Sequence, residues 1–539
     1  MVNYLKKIIR SSTNVIVSVK YKKISNALGV IIFVILISFW GIHKLKNKNF
    51  LTYENSIVID TKNKNNLKKD IYNKWQRCEY SFFSKLEKCI KIKVPVNWQD
   101  KKSSQIEFFA RRYGNSHPHK IILILSGGPG GSENSYIHLA KELYKQDNNI
   151  LVLIPDHRGT GHSEKLHCPI SKQALSIHDT DNQIFSSCFE YLKTIWQEQL
   201  KYFNSKQGGQ DVQELLKLYP KLPIYIYASS YGTIWAQQVL HKNHLNVKKV
   251  YLESPFIIGH SNYLERNINK PIMVFFENCI HSHYCKEIMN VNHITELKKI
   301  FTDVFDGKMC LNKLSLDTVE MIKKKSLWLL QYNFTAPLFP LLVNAIQRCD
   351  ELLIKNIFKY KNEINMTEIG NYRYSVYLHY NIYCNEMVGR ENYNKKFKND
   401  FGFEDNSLLK CQYVPEAENT IEKIQYQNVN FNTLIVTGEA DISATSEFSQ
   451  ALNLKFPPTQ VKLIKVKNLA HLPLSFRIHY EDFFSLKYHD AEKCRIHILA
   501  AFFKEEVGWP DLRCVNEIYP AIYSSDSALK HYESVFNNT

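Results

Sequence analysis

The chain reads IYIYASSYGT at residues 224–233 and continues as IWAQQVL at residues 234–240. The first part is a run of β-branched and aromatic residues, which predicts a strand. The run stops at small residues, and an apolar pattern with helical spacing follows at once. The stretch therefore predicts a strand, a sharp turn and a helix, with a serine in the turn.

Ser230 is the candidate nucleophile of this turn. The pattern G-x-S-x-G describes a strained turn that raises a serine hydroxyl above the edge of a sheet, and Ala228 stands here at the first glycine position. Ser229 is the neighbouring alternative, but only Ser230 has small residues two positions before and after it. A serine at this place is also a common helix N-cap. The rest of the chain decides in favour of a nucleophile.

The length and composition are those of a folded protein. The 539 residues are 44% hydrophobic and 22% charged, which suits one large domain with an insertion, or two or three domains. The formal net charge is +17, but residues 1–48 hold nine Lys or Arg and no acid, which leaves only +8 for the rest. This modest surplus argues against a nucleic-acid partner.

The twelve cysteines form no C-x-x-C pair, and no histidine cluster accompanies them at zinc spacing. We therefore expect no metal site and no cofactor. An even number of cysteines spread through the folded part indicates disulfides and an oxidising compartment. The alternative is a set of buried free thiols.

Residues 27–42 form an uncharged apolar segment, with six basic residues before it and three closely after it. We interpret it as an uncleaved signal anchor in the membrane, because no small-residue cleavage site follows the apolar run. The excess of basic residues on its N-terminal side predicts a cytoplasmic N-terminus and an extracytoplasmic catalytic domain. Secretion after cleavage of a signal peptide is the alternative.

Strand patterns return along the chain and alternate with helical ones from residue 121 to residue 253, which predicts a parallel sheet with helical crossovers. An antiparallel pair precedes them. Between residues 256 and 425 the strand pattern lapses and helical spacing dominates. The predicted organisation is a basic N-terminus with its anchor (1–48), a linker (49–74), the first part of the core (75–255), a helical cap (256–425) and the second part of the core (426–539).

Ser230, Asp441 and His471 occur in this order, each just after a predicted strand. Since parallel strands end at one edge of a sheet, the three side chains should meet there as nucleophile, acid and base. Glu439 is the rival acid, but its side chain should leave the turn on the other side.

A glycine-rich loop at residues 126–132 follows the strand 121–125. It lacks the Lys-Ser/Thr of a phosphate-binding loop and the G-x-G-x-x-G spacing. We interpret it instead as one side of an oxyanion hole, in which the N–H groups of Gly128 and Tyr231 stabilise a developing negative charge.

These motifs resemble those of the α/β-hydrolase serine peptidases of the prolyl aminopeptidase and tripeptidyl aminopeptidase family, nearest to the secreted tripeptidyl branch. The resemblance covers about residues 75–515. It is carried by Trp75 with Cys78 and Cys89 ahead of Val94-Pro95-Val96, Gly127 to Ser132, Asp156-x-Arg158-Gly159-Thr160-Gly161-x-Ser163, Cys168, Ser230-Tyr231-Gly232-Thr233, Cys384-Asn385-Glu386, Gly438-x-x-Asp441, Ala470-His471 and Gly508-x-Pro510 before Cys514.

The resemblance implies an α/β-hydrolase fold, with a mostly parallel sheet flanked by helices and a large helical cap inserted after the sixth strand. The implied activity is release of residues or short peptides from free N-termini. An esterase or lipase of the same fold is the alternative. The resemblance, with nearness in sequence, also implies four disulfides: Cys78–Cys89, Cys168–Cys188, Cys279–Cys285 and Cys494–Cys514. The sequence does not indicate the oligomeric state.

An aminopeptidase has to hold a cationic N-terminus near its nucleophile, and a buried ammonium group needs a carboxylate partner. Glu386, beside Cys384, is the first candidate for this carboxylate. Glu133, after the glycine loop, and Glu253, at a strand end, are the other two.

Overall fold

The structure is a computed structural model. It describes residues 75–78, 85–100, 102–169, 182–241, 245–257, 267–333, 335–368, 374–388, 399–404, 406–417, 425–475, 488–504 and 508–518. The chain divides into two units, Met1–Ile57 and Val58–Thr539. The first unit, with the predicted anchor and the start of the linker, lies outside the described residues, as does the rest of the linker. Everything in this subsection and the next concerns the second unit.

Eight strands form one sheet in the order β1-β2-β4-β3-β5-β6-β7-β8. Strand β2 pairs antiparallel with β1 and with β4, and all other neighbouring strands are parallel. Every predicted strand is present. The strands are β1 Glu87–Pro95, β2 Gln105–Gly114, β3 Lys120–Leu125, β4 Ile150–Pro155, β5 Ile224–Ser229, β6 Val247–Glu253, β7 Asn432–Gly438 and β8 Val461–Val466.

Helices lie between and after the strands. The α-helices are α1 Ile137–Gln146, α2 Asn182–Trp196, α3 Ser205–Leu216, α4 Gly232–Leu240, α5 Asn269–His281, α6 His283–Met289, α7 Ile294–Phe305, α8 Leu316–Leu329, α9 Leu338–Gln347, α10 Glu351–Glu368, α11 Val376–Ile382, α12 Ser446–Asn453, α13 Tyr488–Phe502 and α14 Arg513–Glu517. Short 3₁₀ helices cover Glu133–Tyr136, Gln197–Tyr202, Asn406–Tyr413 and Tyr426–Asn428, and a π-helix covers Tyr383–Val388.

Successive side chains of each strand point to opposite faces of the sheet, and helices cover both faces. On β3, Leu123 packs with α3 and α4 on one face, and Ile124 packs with α1 and α13 on the other. This is why the central strands are continuous apolar runs instead of alternating ones. The two helix layers fix the strand ends, and with them the loops that carry the candidate site.

The helices between β6 and β7 form two packing groups. Residues of α5 to α10 make a hydrophobic core of their own, which also takes in Ile442 from the loop after β7. Residues of α11, the π-helix and the 3₁₀ helix Asn406–Tyr413 join the main core beside α2. Phe401 and Phe403 also join the core of α5 to α10. We call residues 267–368 the first cap segment, and residues 374–388 with 406–417 the second cap segment.

Six disulfides are formed, and they use all twelve cysteines. Four are the predicted pairs Cys78–Cys89, Cys168–Cys188, Cys279–Cys285 and Cys494–Cys514, and two further pairs within the cap are Cys310–Cys349 and Cys384–Cys411. Their number suggests an extracytoplasmic or secreted protein. In the described ranges, no helix is long and apolar enough to span a bilayer. The predicted anchor at residues 27–42 lies outside those ranges.

Candidate active site

The nucleophile turn follows β5 directly. Ser230 has a φ of 53°, a left-handed conformation that is costly for residues with a side chain and typical of functional turns. A Cβ on Gly232 would lie 2.4 Å from the carbonyl oxygen of Leu125 on β3, so only glycine fits there. Ser229 is fully buried, and its hydroxyl lies 2.5 Å from that of Tyr136. Ser230 is therefore the serine that meets the neighbouring loops.

The candidate acid and base lie in the loops after β7 and β8. A Cβ on Gly438 would be 2.2 Å from the carbonyl oxygen of Leu469, so the two loops are packed backbone against backbone. Asp441 and His471 are both buried. This close packing fixes the backbone positions of Asp441 and His471.

The three side chains form a continuous line of hydrogen bonds. His471 Nδ1 lies 2.8 Å from Asp441 Oδ2, and His471 Nε2 lies 2.9 Å from Ser230 Oγ. Asp441 Oδ1 accepts the backbone N–H groups of Ser443 and Ala444, both at 2.8 Å. Since a carboxylate accepts hydrogen bonds, Nδ1 carries the ring hydrogen and Nε2 is free to accept the Ser230 proton. The geometry is that of a nucleophile beside its base.

The glycine loop lies against the nucleophile. A Cβ on Gly127 would be 3.1 Å from Ser230 Cβ, and Gly128 has a φ of 124° that favours glycine. In the described part of the chain, the N–H groups of Gly128 and Tyr231 donate to no protein acceptor. Both predicted oxyanion donors are therefore unpaired backbone groups in the loops that flank Ser230.

The first cap segment contacts the histidine loop, which the sequence did not indicate. His471 N–H donates to the carbonyl oxygen of Gln331 at 3.0 Å, and Ala470 N–H donates to Asn333 Oδ1 at 2.7 Å. The ring centroids of Tyr332 and His471 are 6.0 Å apart. These contacts come from a short connection between α8 and α9, which has no sequence motif of its own.

The second cap segment contacts the glycine loop. The Tyr374 hydroxyl donates to the carbonyl oxygen of Pro129 at 2.8 Å, and Ser375 N–H donates to that of Gly130 at 3.0 Å. The His379 ring also lies 3.1 Å from the Pro129 oxygen, and its burial lowers the pKa of this imidazole to about 4. The groups that the cap presents to the glycine loop are thus aromatic or uncharged.

Arg158 of the Arg-Gly-Thr-Gly motif connects elements of the fold, and among the described residues it makes no hydrogen bond to a candidate catalytic residue. The fully buried Arg158 guanidinium makes two hydrogen bonds to Asp211, at 2.8 and 2.6 Å, and reaches the backbone oxygens of Val96 and Pro95 at the end of β1. It therefore ties β1 to α3. A buried, bidentate pair of this kind contributes geometric specificity.

The three predicted ammonium-binding acids are placed differently from one another. Glu386 does not meet Ser230: its Oε1 accepts Ser205 N–H at 2.9 Å, and its Oε2 contacts the Ser205 hydroxyl. Glu253 is fully buried and accepts from Tyr227, Leu474 and Ser475. Local partners thus engage both side chains.

Glu133 begins the 3₁₀ helix after the glycine loop, and its side chain lies outside the described part of the structure. Within that part, no group of three or more His, Cys, Asp or Glu side chains could hold a metal ion.

Residues 120–275 match the family described as "alpha/beta hydrolase fold". No curated protein matches the chain. Among solved structures, a serine hydrolase from the polyaromatic hydrocarbon-degrading bacterium Cycloclasticus zankles is similar, with 12% identity, a TM-score of 0.34, and coverage of 77% of this chain and 98% of that one. An esterase from Exiguobacterium antarcticum has 11% identity, a TM-score of 0.29, and coverage of 68% and 89%.

Similarity at this level does not distinguish one hydrolase activity from another. The matched family, together with the observed sheet and helices, shows an α/β-hydrolase fold and supports a hydrolytic activity.

Proposed function

We propose that the protein is a serine hydrolase that cleaves peptides near a free N-terminus through an acyl-enzyme. The observation that carries the serine chemistry is the hydrogen-bonded line from Asp441 through His471 to Ser230. In the proposed reaction His471 takes the Ser230 proton as the hydroxyl oxygen attacks the carbonyl carbon, and later gives it to the leaving amine. Water then attacks the acyl-enzyme by the same route.

The oxyanion formed in each attack would be stabilised by the N–H groups of Gly128 and Tyr231. Backbone donors held in this way need no reorganisation during the reaction, and the loss of one such donor typically costs about 10²–10³-fold in kcat. The unpaired state of both groups in the described structure supports this role.

Peptides are the proposed substrates because the motifs that resemble the aminopeptidase family surround the site. The glycine loop lies beside Ser230, and the cap contacts both the glycine loop and the histidine loop. A cap in this position would restrict access to the end of a chain. With Glu253 and Glu386 engaged by local partners, Glu133 is our remaining candidate for the substrate ammonium group.

An ester substrate is the second candidate, and one observation favours it. The cap side chains that contact the loops of the site are uncharged or aromatic, and none of them offers a negative charge to an ammonium group; they include Tyr332, Asn333, Tyr374 and His379. An uncharged lining suits a neutral carboxylic ester better than a cationic N-terminus.

We also propose that residues 27–42 anchor the protein in a membrane with its catalytic unit on the extracytoplasmic side. The six disulfides support the compartment, and the uncharged segment with its basic flanks supports the anchor.

The test uses a panel of chromogenic peptide amides, with free and with blocked N-termini, alongside short-chain p-nitrophenyl esters. We expect the free-amine amides to be cleaved fastest and Ser230→Ala to lose turnover by at least about 10⁴-fold, together with fluorophosphonate labelling. Glu133→Gln should lower kcat/KM for free-amine amides and leave the esters unaffected. Cleavage of esters alone would establish the esterase, and a fully active Ser230→Ala protein would refute both.

A further inference from the structure

A chain of hydrogen-bonded side chains runs from Glu386 of the cap, which is half-buried, to the buried residue that follows the nucleophile. Glu386 Oε2 contacts the Ser205 hydroxyl, which lies 2.7 Å from the Tyr231 hydroxyl, and this lies 3.1 Å from His157 Nε2. His157 Nδ1 lies 2.7 Å from the carbonyl oxygen of Arg158. The chain joins the π-helix of the second cap segment, the start of α3, the start of α4 and the loop after β4.

The hydrogens along this chain can be counted. The Arg158 carbonyl can only accept, so Nδ1 of His157 carries a hydrogen, and Nε2 of a neutral ring is then an acceptor. Three contacts remain, Glu386 to Ser205, Ser205 to Tyr231 and Tyr231 to His157, but the two hydroxyls supply only two hydrogens. One more proton is needed, on either Glu386 or His157.

The surroundings of the two end groups decide where that proton lies. Burial, together with the neighbouring Arg158, lowers the pKa of the His157 imidazole to about 3. Its ring is confined, because Nε2 would be 2.4 Å from a Cβ on Gly208 and the Trp235 ring lies 4.7 Å away, centroid to centroid. Burial raises the pKa of Glu386 to about 7, against the opposing hydrogen bonds from Ser205.

With the proton on the carboxyl, every contact has one hydrogen. Glu386 donates to Ser205, Ser205 donates to Tyr231, and Tyr231 donates to His157. Without that proton a buried acceptor is left unpaired or two oxygens face each other, and either arrangement costs free energy.

We propose that Glu386, as a neutral carboxylic acid, closes this hydrogen-bond chain and thereby positions Tyr231, whose backbone N–H is the proposed oxyanion donor. Glu386, Ser205 and His157 are then positioning residues that act through the side chain of Tyr231. The proposal rests on the proposed function, because an oxyanion donor matters only to a serine hydrolase. It assigns Glu386 a role other than holding a substrate ammonium group.

The test compares four variants of the full chain: Glu386→Gln, Glu386→Leu, Tyr231→Phe and Tyr251→Phe. A glutamine amide donates to the Ser205 hydroxyl and accepts from Ser205 N–H, as the neutral acid does, whereas leucine does neither. Tyr251→Phe is the matched control, since this buried hydroxyl has no hydrogen-bond partner in the described structure. Substrates are p-nitrophenyl acetate and a free-amine peptide p-nitroanilide.

Glu386→Leu and Tyr231→Phe should each lower kcat about 10- to 100-fold on both substrates with KM nearly unchanged, because a displaced oxyanion donor affects the transition state. Their double variant should lose no more than the worse single variant. Glu386→Gln should retain kcat within about threefold, and Tyr251→Phe should match the wild type. Thermal unfolding confirms that each variant is folded, and Ser205→Ala replaces Glu386→Leu if that protein does not fold.

Three results would overturn the proposal. The first is a loss of activity in Glu386→Gln that is confined to the free-amine substrate, which would make Glu386 the ammonium site. The others are a fall in kcat in Glu386→Gln as large as that in Glu386→Leu, and additive losses of kcat in the double variant. Failure of the serine mechanism is distinguishable, because it would appear as fluorophosphonate labelling that survives Ser230→Ala.

Discussion

Two glutamates are connected to the nucleophile turn, Glu253 through its carbonyl oxygen, which accepts the Ser230 N–H, and Glu386 through Ser205 and Tyr231. Their side chains differ in the number of hydrogens that point at them. Glu253 accepts three hydrogen bonds, from the Leu474 N–H at 2.9 Å and from the Tyr227 and Ser475 hydroxyls at 2.8 Å. Ser475 in turn accepts from Arg495 at 2.6 Å. Every neighbour donates, so this carboxylate needs no proton of its own.

The hydroxyl groups near Glu386 supply fewer hydrogens than the hydrogen bonds in that chain require. Its partners are the N–H and hydroxyl of Ser205, and the hydroxyl is shared with the Tyr231–His157 chain. No cation has a place in that chain, since His157 is neutral. The comparison teaches that the hydrogens available around a buried acid, more than its depth, decide whether it is held as an anion or as a neutral acid.

The largest effect should come from neutralising Glu253. Glu253→Gln places an amide group among the Tyr227, Ser475 and Leu474 donors, and it removes a negative charge that, with the Tyr227 hydroxyl, raises the pKa of the buried Arg495 against the effect of burial. We expect the free energy of unfolding to fall by about 3–5 kcal/mol. Urea denaturation at pH 6 measures it.

Glu386→Gln is the matched control for that experiment, since the same substitution there replaces a neutral acid by a neutral amide. It should change stability by about 1 kcal/mol or less at pH 6. Equal losses in the two variants would show that the two glutamates do not differ as described.

A smaller loss of stability is expected from removing the disulfide near either region, that of Glu386 or that of Glu253 and Arg495. Cys384–Cys411 holds the π-helix that carries Glu386, and Cys494–Cys514 lies beside Arg495; their sequence separations are 27 and 20 residues. Replacing either pair by alanines should cost about 3 kcal/mol, because loops of similar length are released.

The activities of those two variants should differ. Loss of Cys384–Cys411 should also lower kcat, because it loosens the chain to Tyr231, whereas loss of Cys494–Cys514 should leave kcat unchanged. Denaturation curves and p-nitrophenyl acetate kinetics on both double variants check this. A kcat that falls equally in the two would contradict the link between the π-helix and the nucleophile turn.

The sequence predicted the parts of the molecule that local patterns determine. Apolar residues marked all eight strands, as continuous runs in central strands such as β3 and β4 and in alternation with lysines in β1. The residues just past β5, β7 and β8 proved to be within hydrogen-bond distance of one another. The four predicted disulfides join cysteines that are near in sequence. The pair Cys310–Cys349 lies 39 residues apart among several cap cysteines, so sequence spacing did not select it.

The partners of the two glutamates were beyond prediction for a physical reason. Glu253 was correctly placed at a strand end, but the groups that engage it come from β5 and from Leu474 and Ser475, more than 200 residues later. Glu386 meets Ser205, which is 181 residues away in sequence. Contacts of this kind depend on how the cap packs, and no periodicity or motif records that packing.

The smallest effect is also the most specific, because it depends on a single proton. The pKa of Glu386 is raised from an ordinary 4.5 to about 7 by burial. Between pH 4.5 and about pH 7, Glu386 keeps a proton in the folded protein that it has released in the unfolded chain. The wild-type free energy of unfolding therefore falls as pH rises through this range. Glu386→Gln has no such proton and lacks this contribution.

The two proteins should therefore be about equally stable near pH 4.5, and the glutamine variant should gain on the wild type up to about pH 7 and keep its advantage above it. The advantage should reach about 1–2 kcal/mol, less than the full pKa shift would give, because the side chain is partly exposed and water moderates the cost of its charge. Urea denaturation of both proteins at half-unit steps from pH 4.5 to 8 measures the difference. A wild type that gains on the variant as pH rises would mean that Glu386 is held as an anion, like Glu253, and the contrast between the two regions would be lost.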